Sequence, residues 1–178
     1  MTTLSLTAAT QVKPKARRTW STRDAVIGVS GMALTVIALM ALMRGGLGIS
    51  EMSLWRLPPA VLFHIFTIVP AIPLGAYVFV ARKGTKQHRL AGRIWCLLMF
   101  ATAISTIFIR TSPDGAMSWI HTFTFMTMAS IPLGIWAAMT RRYKLHERVF
   151  LQLYIGAVLV AGGFTFLPGR TMFQLAFG

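Results

Sequence analysis

Residues 57–81 read LPPAVLFHIFTIVPAIPLGAYVFVA, a run of 25 positions without one Asp, Glu, Lys or Arg. At 1.5 Å per residue, a helix of that length crosses a hydrocarbon core of roughly 30 Å with room to tilt. A helix at the surface of a soluble domain needs a polar face, and this one offers little beyond His64, Thr67 and Tyr77. The run ends abruptly in Arg82-Lys83-Gly84-Thr85-Lys86-Gln87-His88-Arg89. An apolar segment abutting a short basic connection is the pattern of a membrane span.

Four more such stretches lie outward from it, at residues 25–43, 90–109, 116–139 and 149–167. Each is close to the roughly 20 residues that a spanning helix requires. The reading is therefore an all-α polytopic membrane protein with five transmembrane helices. Residues 1–24 form a basic cytoplasmic tail, and residues 25–178 form a single transmembrane domain. The first stretch is too long for a signal-peptide core and has no small-residue cleavage site after Met43, so it reads as a helix that stays. No alternation of the kind that marks a β-barrel is visible.

Composition agrees. The chain is 55% hydrophobic and 12% charged, with mean hydropathy +0.64, against about 25% charged residues in a soluble domain. A net charge of +14 would suggest nucleic acid in a soluble protein. Here the cations sit in short runs between apolar spans, so nucleic acid is not an expected partner.

The same cations give a direction. The tail (Lys13, Lys15, Arg17, Arg18, Arg23) and the connections after the second and fourth spans hold fourteen Lys and Arg, and the opposite face holds four: Arg44, Arg56, Arg110 and Arg170. Positive charge stays inside. The N-terminus is expected in the cytoplasm and the C-terminus in the periplasm, across a bacterial inner membrane. Trp55 and Trp119 then mark the outer interface, and Trp20, Trp95 and Trp136 the inner one. Ser112-Pro113-Asp114-Gly115 reads as a tight outer turn. Prolines and glycines within spans (Pro70, Pro73, Gly75, Pro132, Gly134, Gly162, Gly163) predict kinks and close helix contacts.

Spans two and three can be laid over spans four and five. His64-Ile65-Phe66-Thr67 matches His121-Thr122-Phe123-Thr124, Pro73-Leu74-Gly75 matches Pro132-Leu133-Gly134, and His88 matches His146, at offsets of 57, 59 and 58 residues. A parallel internal repeat of two helical hairpins, with the first helix appended, is one reading; the two-residue slip rotates a helical face by about 200° and counts against it.

All four histidines fall on repeat positions. His64 and His121 lie level with each other near the outer surface, and His88 and His146 lie level at the inner boundary. A histidine within a membrane is by default a candidate functional group. The outer pair, His64 and His121, could hold a metal centre such as haem b, with Arg110 near the propionates. Thr67 and Thr124, three residues on, would then bond the imidazole nitrogen not used for ligation. A quinone or another small ligand is a second use, and hydrogen bonding between helices a third. For the inner pair, His88 and His146, a second haem competes with a solvated role, and Arg89, Arg93 and Arg148 suit lipid phosphates. Met117, Met126, Met128 and Met139 raise Cu(I) as a minor possibility. No carboxylate falls within a span, which removes an acidic proton or sodium relay. There is no phosphate loop, HExxH or GxSxG signature. The lone Cys96 forms no internal disulfide, and CxxC and CxxCH are absent.

The runs His88-Arg89-Leu90-Ala91-Gly92-Arg93, Trp119-Ile120-His121 and Arg141-Arg142-Tyr143-Lys144-Leu145-His146-Glu147-Arg148 resemble the bacterial predicted membrane protein family called domain of unknown function 2306. That resemblance implies a small multi-helix membrane protein and no settled activity. The order His64, His88, His121, His146 is also distantly similar to the two-haem, ascorbate-reducible cytochromes b, which place one ligating histidine on each of four helices. Here His88 and His146 precede their spans. The functional expectation is a b-type haem electron-transfer protein. The alternatives are a non-catalytic subunit of a respiratory or photosynthetic complex and, less favoured, a small transporter or enzyme for a lipophilic substrate. Other membrane subunits are expected partners. Whether the chain is an enzyme is open, with a non-enzymatic role favoured.

Overall fold

The computed structural model describes residues 21–109 and 121–178. The greater part of the basic tail, Arg110, the 112–115 turn, Trp119 and the first five residues of the expected fourth span lie outside the described residues. Among those described, every regular element is helical. Five helices are long and apolar enough to cross a membrane.

Helix α1 (Thr22–Gly46) opens with a reciprocal cap. The Ser21 hydroxyl accepts the Asp24 N–H at 3.2 Å, and the Ser21 N–H donates to the Asp24 carboxylate at 3.3 Å. After a short 3-10 turn (Leu54–Arg56), α2 (Pro59–Val80) starts on a proline, whose missing N–H costs nothing there. Pro70 and Pro73 interrupt its interior, because neither can donate to the carbonyl four residues back. Helix α3 (Lys86–Phe108) is capped by the Thr85 hydroxyl, which accepts the His88 N–H at 3.1 Å. Helix α4 (His121–Met139) turns tightly through Arg141 in the left-handed region (φ 60°) into α5 (Tyr143–Leu153). A π-helical segment (Tyr154–Val160) and α6 (Ala161–Phe164) continue α5 as one rod, the fifth span. A last short helix is α7 (Thr171–Phe177).

The expected spans 25–43 and 57–81 agree closely with α1 and α2. Helices α3 and α5 begin earlier than hydropathy suggests, since their first turns are polar: Lys86 to Arg89, and Tyr143 to Arg148. His88 and His146 therefore lie inside helices, in their opening turns, and do not precede them. The expected end at 167 shortens to Phe164.

Neighbours in sequence are neighbours in space: α1 packs on α2, α2 on α3, α3 on α4 and α4 on α5. The π segment closes the ring by touching α1, α2 and α4. Helix α1 is more than an appended anchor, because Ile27, Leu34, Ala38 and Ala41 are buried in the same core as the other spans. Helix α7 folds back on α1. Leu175 is fully buried there, and the space exists because a Cβ on Gly45 would sit 2.5 Å from the Leu175 side chain.

The core centres on aromatic rings. Trp95, expected at an interface, is 1% exposed. It meets Phe79 at 6.2 Å, Phe150 at 5.6 Å and Tyr154 at 6.3 Å between ring centroids. Gly75 admits this cluster, since a Cβ there would lie 2.5 Å from Tyr154 and 2.6 Å from the Trp95 indole nitrogen. Gly134, its sequence counterpart, receives Phe150 in the same way at 2.6 Å. Small residues thus let backbones and rings approach closely, as in other membrane bundles. Large apolar side chains on the outside (Val29, Leu97, Phe108, Met139) are highly exposed. Such a surface suits lipid, not water.

Candidate ligand cavity at the His64 end of the bundle

His64 is near the start of α2, where the end of α3 lies beside it. Its Nδ1 is 3.1 Å from the Ser105 hydroxyl and 3.2 Å from the Thr106 hydroxyl. Both hydroxyls also reach the Thr102 carbonyl, at 2.6 Å and 2.9 Å. Thr102, Ser105 and Thr106 share a helix face through their three- and four-residue spacing. The imidazole bond expected from Thr67 is therefore made by α3. Thr67 instead donates to the carbonyls of Phe63 and His64, at 2.9 Å and 3.0 Å, and accepts from the Thr102 hydroxyl at 2.8 Å. A threonine inside a helix finds the carbonyl one turn back more readily than a side chain on its own helix.

This polar cluster borders a cavity of about 260 Å³. Its polar wall is His64, Thr102 and Thr106 on one side and Thr124 and Thr127 of α4 on the other. Ile65, Ile68, Val69, Ile72, Met99 and Val158 supply apolar walls, and Leu34 and Ala38 of α1 complete them. At the rim are Thr165, Phe166, Arg170 and Thr171. Few polar groups in an otherwise apolar concavity is the usual form of a small-molecule site.

The four histidines are not equivalent. His64 lines the cavity. His121 is one turn before Thr124 on the same face of α4, is 4% exposed, and is not part of the cavity wall. At the other end of the bundle, His146 donates from Nδ1 to the Gly134 carbonyl at 2.9 Å and meets Phe150 edge-on at 4.9 Å. His88 lies within electrostatic reach of Lys83 and His146. Phe150 touches both His146 and Trp95, so aromatic rings occupy the interior beside this pair. Arg89, Arg93 and Arg148 are all exposed at this end. Arg23 pairs with Glu147 at 2.6 Å there, joining α1 to α5.

Nothing in this arrangement supports a haem site. The cavity is smaller than the roughly 300–1,000 Å³ of sites for drug-sized molecules, and only one histidine of the outer pair reaches it. Among the described residues no group of three or more His, Cys, Asp or Glu could hold a metal ion.

A bundle of five apolar spans with a lipid-like exterior defines a polytopic helical membrane protein. Within that class, the chain belongs to the predicted membrane protein family DUF2306, whose model matches residues 61–175. The match includes every polar residue of the cavity and leaves α1 outside. No curated protein and no solved structure matches the chain. Sequence reasoning missed Thr102, Ser105 and Thr106, although their shared face on α3 was visible, and it missed the cavity rim formed by the segment before α7.

Proposed function

We propose that this protein binds a small lipophilic molecule within the membrane, recognising a hydroxyl group on it through His64. One observation carries the reading: an imidazole held from behind at the edge of a mostly apolar cavity. The Ser105 and Thr106 hydroxyls direct their protons to the Thr102 carbonyl, so each offers a lone pair to His64. Nδ1 is then the ring nitrogen that carries the proton, and Nε2 is the basic one. A basic Nε2 accepts a hydrogen bond from a phenol, a quinol or an alcohol. Thr124 and Thr127 add hydroxyls across the cavity.

A quinol ring, among the expected ligands, meets this requirement, which keeps redox chemistry within the reading. Haem ligation by His64 and His121 does not follow from the same geometry. The charge partition supports placing the His64 end on the non-cytoplasmic face, so the ligand would be taken from the outer leaflet or the periplasm.

Titration of the purified full-length protein with 4-ethylphenol and its methyl ether, followed by calorimetry, tests the reading. The phenol should bind more tightly than the ether, and His64→Phe should remove the difference, about threefold to tenfold for one hydrogen bond. The sample should show no Soret band. Equal binding of phenol and ether, or a Soret band lost on replacing His64, would contradict it.

A further inference from the structure

The rim of the cavity adds a second requirement, which rests on the His64 reading above. Arg170 lines the cavity and is exposed. No described residue forms an ion pair or a side-chain hydrogen bond with its guanidinium. Two other arginines at this end of the bundle have different surroundings. Arg44 donates to the Gly178 carbonyl at 3.0 Å, and Arg56 borders a separate hollow beside Glu51. Among the described residues, the positive charge at the cavity mouth is thus uncompensated by a partner. A guanidinium presents a planar fork of donors matched to a carboxylate.

We propose that the ligand is an amphiphilic hydroxy acid, with its carboxylate at Arg170 and its hydroxyl at His64. The chemistry at the two ends differs in kind. Arg170 supplies charge and donors only, whereas the basic Nε2 of His64 asks for a donor. Between them lie apolar side chains, so the body of the ligand is a ring or a short hydrocarbon. A volume of about 260 Å³ suits one ring with a short arm. Thr171, also at the rim, can donate to the same carboxylate. A neutral quinol satisfies only the His64 end, which separates the two ligand classes.

The experiment uses the full-length chain in phosphatidylcholine nanodiscs, with empty nanodiscs as the partition control. Two acids, 4-hydroxycinnamate and 8-hydroxyoctanoate, are compared by calorimetry with their methyl esters. At least one acid should bind about threefold to tenfold more tightly than its ester, the range set by a partly exposed ion pair. Arg170→Gln should lower the acid to the level of the ester and leave the ester unchanged. Arg170→Lys should restore part of the preference, which a purely structural role for Arg170 would not produce. Acids binding no better than esters in the unmodified protein, or a preference that survives Arg170→Gln, would overturn the assignment of Arg170 and leave the His64 reading standing. Absence of binding by acids and esters alike would overturn both.

Discussion

The Tyr154 hydroxyl donates to the Ile72 carbonyl at 3.0 Å, linking the fifth span to the second beside Pro73 of α2. The donor belongs to the first residue of the π segment, and the acceptor directly precedes Pro73. The π segment and a proline-containing stretch of α2 therefore meet at one bond. Both the ring of Tyr154, fully buried, and Ile72 of the cavity wall are positioned by it.

Tyr154→Phe removes this bond and keeps the ring. The expected loss of stability is about 0.6 kcal/mol, the average for side-chain bonds between membrane helices, and at most about 1.7 kcal/mol. Unfolding in mixed micelles as denaturing detergent is added should register this small destabilisation. A loss above about 3 kcal/mol would mean that the hydroxyl supports more than this bond.

Gly75→Ala should be more damaging. The added methyl would lie 2.5 Å from Tyr154 and 2.6 Å from Trp95, neither of which can move without disturbing the aromatic cluster. Overpacking of this kind costs about 1–3 kcal/mol. Gly92→Ala is the matched control, because nothing lies within 4 Å of a Cβ at Gly92, and it should be neutral or slightly stabilising. The same unfolding assay checks both; equal effects would show that Gly75 is not a contact point.

Helix α7 carries a separate prediction. Leu175 is fully buried against Gly45 and the end of α1. Leu175→Ala should cost about 2–5 kcal/mol if α7 is part of the cooperative unit. Limited proteolysis should then cleave near Gly169 faster than in the unmodified protein, while the five spans stay protected. Unchanged cleavage would place α7 outside that unit.

Orientation can be read with single cysteines. In a Cys96→Ala background, Ser53→Cys lies at the His64 end and Thr140→Cys at the opposite end. In intact cells a membrane-impermeant maleimide should label the first and not the second. The reverse pattern would invert the topology read from the charge partition.

How far the residues revealed this in advance depended on the range of the signal. A spanning helix is written in about 20 consecutive positions, so all five were legible. Their starts were not, because the opening turns of α3 and α5 are basic and hydropathy ends a span at the first charges. Thr85 before Lys86 was the clue, as a capping residue. Helix α7 is only seven residues long, yet Met172, Leu175 and Ala176 share a face at helical spacing. The histidines were recognisable as unusual, but His64 and His121 have unlike surroundings, since pairing depends on helix rotation that no local pattern encodes. The partners of His64, Ser105 and Thr106, are some forty residues away in sequence. The approach of α3 alone joins them.

The central claim concerns which nitrogen of His64 is free for a ligand. With four histidines in the chain, ¹⁵N-histidine labelling and comparison with His64→Phe isolates its two ring nitrogens by NMR. The account predicts that Nδ1 carries the proton, that Nε2 is unprotonated, and that the Nε2 resonance moves when 4-ethylphenol binds and stays in place with its methyl ether. A protonated Nε2, or a resonance indifferent to the phenol at saturating concentration, would contradict it.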